Sequence, residues 1–125
     1  MNTKAVFIVD DSPEIIGQLI RLLEREQFSV AGVAGDVKSA KEWLSLNSAG
    51  CIILDIGLPD GSGFDLLEWY EGKKQDTTLI VFTNYYSEMI REKSLLLGAD
   101  YVFDKSDDVT GLLSILEKHT SGHTR

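Results

Sequence analysis

The chain has one cysteine in 125 residues, few bases and no long apolar run, and each shortage removes a class of protein. Cys51 alone cannot form an internal disulfide or a thiolate metal site, and its place inside an apolar run reads as core filling. Twelve Lys and Arg against twenty Asp and Glu leave a formal net charge of −8 and a pI near 4.6. A phosphate backbone demands a basic surface, so nucleic acid is not expected as a direct partner. No apolar stretch approaches the length of a membrane span, and no basic-then-apolar leader stands at the N-terminus. A cytoplasmic protein without membrane contact is therefore expected. No glycine-rich loop follows the first apolar run, which argues against a nucleotide- or flavin-binding module. Repeats and low-complexity linkers are also missing. With 43% hydrophobic residues the chain can bury one core, so residues 1–125 read as a single domain with a polar tail over 119–125.

What is present is an alternation. Residues 51–54, Cys-Ile-Ile-Leu, form an uninterrupted apolar run that ends on Asp55 and a Pro/Gly-rich turn, Gly57 to Gly63. Such a run reads as a strand buried on both faces. Residues 5–9 form another and end on Asp10-Asp11; residues 28–33, 78–82 and 100–103 supply three more. Helices are expected between them. Ser12-Pro13-Glu14 opens one, with Pro in the first turn and acid at the positive end of the dipole. Others are expected over 36–46, from Phe64 to Gly72, over 86–97 with Gly98 closing it, and after Asp107-Asp108 through Leu116. Five strands alternating strictly with five helices imply an α/β fold with a parallel sheet covered on both faces.

The carboxyl ends of these strands carry the chemistry. The first ends with Asp10 and Asp11, the third with Asp55, the fourth with Thr83 and the fifth with Lys105. Side by side in one sheet, all five would meet on one rim, where open α/β sheets bind ligands. Singly each has an ordinary explanation: a helix cap for Asp10-Asp11, a turn for Asp55, a strand end for Thr83, a solvated surface lysine for Lys105. Together they do not. At an effective dielectric constant of about 20, like charges about 4 Å apart repel by roughly 4 kcal/mol. One lysine cannot offset three acids, so a cation is expected. Oxygen donors without nearby Cys or His point to Mg²⁺.

Asp10-Asp11, Asp55 with the loop Leu58-Pro59-Asp60-Gly61-Ser62-Gly63, Thr83 and Lys105, in this order, resemble the receiver domain of two-component response regulators, over about residues 4–118. That resemblance implies the flavodoxin-like strand order 2-1-3-4-5. It implies that Asp55 accepts a phosphoryl group from the phosphohistidine of a sensor histidine kinase or phosphotransfer protein. It implies that Asp11 binds Mg²⁺ directly, Asp10 through water, and Gly57 by its carbonyl, with Asp55 beside them. Lys105 would pair with a phosphoryl oxygen. Thr83 would hydrogen-bond another, biasing a surface around the fourth helix, fifth strand and fifth helix toward an unidentified downstream protein. Such a protein is a signalling domain that catalyses only its own phosphotransfer and dephosphorylation, as a monomer or weak dimer. It can be a stand-alone receiver or part of a longer regulator.

The chain also departs from the family. The aromatic common three residues before the lysine is Val102, flanked by Tyr101 and Phe103 on the opposite strand face. Either Thr83 closes against Val102 without a ring swing, or Tyr85 or Tyr86, expected to open the fourth helix, supplies the ring. Ser106 stands where proline is usual, and Asn84 narrows phosphoryl access. By the same resemblance, Gly57 and Tyr85 would flank the path of an attacking water. His119 and His123 read as surface histidines, and Trp43 and Trp69 as covers of the core edge. Two alternatives remain open. One is a degenerate receiver that only binds a partner. The other is a Mg²⁺-dependent aspartyl-phosphate phosphohydrolase, disfavoured by Gly57 where such enzymes carry a second acid.

Overall fold

The computed structural model describes residues 5–73, 76–106 and 110–122. Strands β1 (Ala5–Val9), β2 (Ser29–Ala34), β3 (Cys51–Leu54), β6 (Thr78–Thr83) and β7 (Tyr101–Asp104) form one parallel sheet in the order β2-β1-β3-β6-β7. Numbered among the five alone, this is the expected 2-1-3-4-5. Helices α1 (Pro13–Arg25), α2 (Val37–Leu46), α3 (Gly63–Glu71), α4 (Glu88–Leu96) and α5 (Thr110–Gly122) connect them. Two further strands, β4 (Gly57–Leu58) and β5 (Gly61–Ser62), pair antiparallel as a small hairpin after β3. The sequence reads that segment only as a turn, since its glycines conceal a two-residue ladder.

The apolar runs become the central strands because both of their faces are covered. Phe7, Val9, Ile52, Leu54, Leu79 and Val81 face α2 and α3. Val6, Ile8, Cys51, Ile53, Ile80 and Phe82 face α1 and α5, with Leu19, Leu23, Leu112 and Leu116. Trp43 lies flat on Phe7, ring centroids 4.1 Å apart and planes 7° from parallel. It occupies the space above Gly32, where a Cβ would come within 2.6 Å of the indole nitrogen. Val102 packs with the α2–α3 side, Tyr101 and Phe103 with the other, as strand alternation requires.

Caps set the helix ends. Ser12 Oγ accepts from the Ile15 N–H at 3.3 Å with Pro13 in the first turn, so Ser12, not Asp10 or Asp11, caps α1. Past the C-cap Glu26, Gln27 is a non-glycine residue with φ 69°, and Phe28 N–H returns to Leu23 O at 2.8 Å. Gly98, φ 112°, closes the α4 end in the same way, as expected. Ser62 and Asp65 form a reciprocal capping box on α3. One helix start differs from expectation. α4 begins at Glu88 behind its cap Ser87, so Tyr85 and Tyr86 belong to the preceding loop. The Ser87 hydroxyl, which accepts from the Ile90 N–H at 3.1 Å, outweighs the apolar character of the tyrosines. The expected cap by Asp107-Asp108, and His123, lie outside the described residues. No helix among the described residues is long and apolar enough to cross a membrane.

Candidate functional site

Strand register places the acids together. Val9 pairs with Leu54 across β1 and β3, so the next residues, Asp10 and Asp55, leave the sheet edge side by side. Their backbones continue the ladder: Asp10 N–H donates to Ala34 O at 3.0 Å and Asp55 N–H to Val9 O at 2.9 Å. Thr83 pairs with Asp104 at the end of β6 and β7, and Lys105 N–H donates to Thr83 O at 3.0 Å. From there the Lys105 side chain reaches back under the rim.

Lys105 Nζ lies 2.7 Å from Asp10 Oδ2 and 2.8 Å from Asp55 Oδ2, all three side chains nearly covered at 3–6% exposure. Asp11 is exposed at the mouth; one oxygen from each of Asp10, Asp11 and Asp55 lies within 4.8 Å of the others. The remaining Asp10 oxygen accepts from the Ser12 N–H at 2.9 Å, and Asp55 Oδ1 faces the Gly57 N–H at 3.4 Å. Burial raises the Asp10 pKa, with the Asp55 charge acting in the same direction, despite the hydrogen bonds from Lys105 and Ser12. Burial acts to lower the Lys105 pKa, but its hydrogen bonds and charge attraction to both carboxylates outweigh this and leave it raised. One ammonium is thus shared by two carboxylates, with a third at the entrance. The donors are all hard oxygens, which suits Mg²⁺ or Ca²⁺.

The loops around this centre are tied down. Gly63 packs so tightly behind Asp55 that a Cβ would meet Asp55 O and the Ile56 Cα. Asp60, at the hairpin tip, accepts from the Val37 and Lys38 N–H groups at 2.7 and 3.0 Å, joining the hairpin to the α2 N-terminus. These bonds hold its carboxyl below the usual range. Thr83 is fully buried, its hydroxyl accepting from the Tyr85 N–H at 3.1 Å. The Tyr85 ring lies over Gly57, in the space a side chain there would fill: a Cβ would collide with Tyr85 Cε2. Lys105–Ser106 is trans, as is every peptide bond among the described residues. Asp104 Oδ1 accepts from both Ser106 N–H, at 3.0 Å, and Ser106 Oγ, at 2.8 Å, bonds that lower the Asp104 pKa.

Asp10, Asp11, Asp55 and Lys105 therefore meet through their side chains, while Gly57 and Thr83 join through the backbone. Sequence reasoning passed over the contacts of Asp104, while Asp60 was visible only as part of the loop motif and Ser106 only as a departure from the family. An Asp two residues before a Ser is a turn signal that could have exposed the Asp104–Ser106 pair.

A parallel α/β sheet with acids and one lysine at its carboxyl edge is an open α/β fold with its polar cluster at the rim where such sheets bind ligands, and comparison specifies the family. The chain belongs to the response regulator receiver domain family, whose model matches residues 6–117. It is 30% identical over 119 residues to the acid tolerance regulatory protein ActR of Rhizobium meliloti (strain 1021), covering 92% of this chain but only 59% of ActR. Its fold superposes on the BeF3-activated N-terminal receiver domain of Klebsiella pneumoniae RstA with a TM-score of 0.85. Sequence identity there is 26%, with 92% of this chain and 97% of that one covered. It also matches a Burkholderia pseudomallei response regulator with a phosphorylated aspartic acid, calcium ion and citrate. In that case the TM-score is 0.82 and the identity 25%, covering 96% of this chain and 70% of that one. Receiver domains are signalling domains that interact with histidine kinases or phosphotransfer proteins and bind Mg²⁺ or Ca²⁺ at an acidic cluster.

Proposed function

We propose that this protein is a phosphorylation-controlled switch in which Asp55 accepts a phosphoryl group from a phosphohistidine of a sensor kinase or phosphotransfer protein. The observation that carries the reading is the sharing of the Lys105 ammonium by the buried Asp10 and Asp55 carboxylates, beside Asp11. An Asp55 oxygen forms the new bond to phosphorus as the P–N bond to the imidazole breaks, and the imidazole leaves with the electron pair. Lys105 follows the developing charge, exchanging part of its hold on Asp55 for a phosphoryl oxygen. Mg²⁺, held by Asp10, Asp11, Asp55 and the Gly57 carbonyl, would neutralise charge on the transferring group.

Thr83 is placed to report the event. Its hydroxyl proton is available to a phosphoryl oxygen while its oxygen accepts from the Tyr85 N–H, so movement of Thr83 draws the loop before α4 with it. Val102 supplies no ring to fill the vacated space, which leaves Tyr85 as the aromatic coupled to Thr83. The output surface is α4 and its surroundings, where Met89 and Leu96 are 76% and 84% exposed. Its target is an output domain or a separate protein; the chain spans only 59% of ActR, a regulatory protein. The chain works as one receiver domain, in the cytoplasm. Incubation with Mg²⁺ and a small-molecule phosphodonor should add one phosphoryl mass to the intact protein, and none to Asp55→Asn. Equal labelling of Asp55→Asn would overturn the assignment.

A further inference from the structure

We infer that Asp104 and Ser106 are positioning residues for Lys105, forming a turn that aims its ammonium at the two carboxylates; the inference rests on the phosphoacceptor reading above. Lysine has four rotatable side-chain bonds and loses more rotamer freedom than most residues when held in one place. Lys105 is held, reaching Asp10 and Asp55 at 2.7 and 2.8 Å from a chain segment that has just left the sheet. Its own N–H is secured to Thr83 O on the strand side. On the other side stands Ser106, exposed, with a trans peptide before it and no ring to restrict φ. What closes the segment is the Asp104 carboxylate, one oxygen of which takes both the backbone N–H and the hydroxyl of Ser106. The two bonds span Lys105 and fix the direction in which its side chain departs. Asp104 is not one of the carboxylates clustered at the site.

Positioning and mere stability give different signatures, because Lys105 opposes one ligand and supports the other. It competes with a metal cation for Asp10 and Asp55, whereas it pairs with a phosphoryl oxygen or its mimic. Loosening Lys105 should therefore weaken binding of beryllium fluoride in the presence of Mg²⁺ while leaving Mg²⁺ alone bound equally or more tightly. Asp104→Ala, which removes both bonds, should bind beryllium fluoride about fivefold more weakly, roughly the net worth of one ordinary hydrogen bond, and Ser106→Ala, which removes only the hydroxyl's, should weaken it in the same direction. Ser106→Thr, which keeps the hydroxyl, should match the unaltered protein. The ¹⁵N resonance of the Lys105 ammonium, shifted by its two carboxylates, should lose its shift in both alanine variants. Equal weakening of Mg²⁺ and beryllium fluoride, or no change in either, overturns the inference. If the unaltered protein binds Mg²⁺ but no beryllium fluoride, the phosphoacceptor reading falls. The positioning claim is then still decided by the Lys105 resonance and the Mg²⁺ affinity.

Discussion

Replacing Lys105 by Met would remove the one ammonium shared by Asp10 and Asp55 while keeping most of its aliphatic stem. Both carboxylates are almost covered, at 3% and 6% side-chain exposure, and their oxygens lie within 4.8 Å. At an effective dielectric constant of about 20, two bare charges at that spacing repel by about 3.5 kcal/mol. Severing a buried ion pair costs about 3–5 kcal/mol. A carboxylate in this position can also take up a proton, which caps the loss near the lower figure, so the metal-free variant should be about 3 kcal/mol less stable at pH 7. For a chain of this length that is about a 10 °C drop in Tm. The sign of the pH dependence follows. Burial raises the Asp10 pKa even with Lys105 beside it, and losing the ammonium removes what opposes that shift, so the folded variant binds more protons and regains stability as pH falls. Saturating Mg²⁺ should restore it too, because the ion replaces the missing positive charge, and the variant should bind Mg²⁺ more tightly than the unaltered protein. Urea unfolding with EDTA and with Mg²⁺, at pH 7 and pH 5, measures all of this. An equal stability gap in EDTA and in Mg²⁺ would refute the reasoning, since the loss would then be one of packing.

Three other consequences follow from individual contacts. Gly63→Ala should destabilise the protein by about 3 kcal/mol in thermal unfolding, because the new Cβ meets Asp55 O and Ile56 Cα, backbone atoms that cannot step aside. Tyr85→Ala removes the ring that lies over Gly57 and should shorten the phosphoryl lifetime several-fold, read as loss of phosphoprotein mass with time. Stability should change by less than about 1 kcal/mol, because Tyr85 is 63% exposed. Asp60→Asn should lower Tm at neutral pH. The folded Asp60 pKa lies below its ordinary 3.8, so its contribution is present above that value and is lost as pH falls through the depressed one. The Tm difference between variant and unaltered protein should close over that acid range.

The sheet was legible because its strands are apolar on both faces, a pattern that neither amphipathic helices nor surface loops share. Residues 5–9, 51–54 and 78–82 each lie in a central strand of the observed sheet. The convergence of Asp10, Asp11, Asp55 and Lys105 was legible for a related reason: a parallel sheet sends all its carboxyl ends to one edge. What stayed hidden depends on contacts between segments distant in sequence. The hairpin after β3 is secured by Asp60 on the N-terminus of α2, twenty-three residues away from Val37, a pairing no local pattern announces. The start of α4 was misplaced because two tyrosines look helical beside Met89, and the cap at Ser87 decides otherwise. The seating of Tyr85 on Gly57 needs the loops after β3 and β6 to be neighbours before it can be seen.

The central claim is that Asp55, and not its neighbours Asp10 or Asp11, carries the phosphoryl group. An acyl phosphate is reduced by borohydride to an alcohol, so trapping the phosphorylated protein converts the modified aspartate to homoserine. Peptide mass spectrometry then reads its position. Homoserine is expected at residue 55, dependent on Mg²⁺ and on the phosphodonor. Homoserine at residue 10 or 11, or none anywhere in protein that carries the phosphoryl mass, would contradict it.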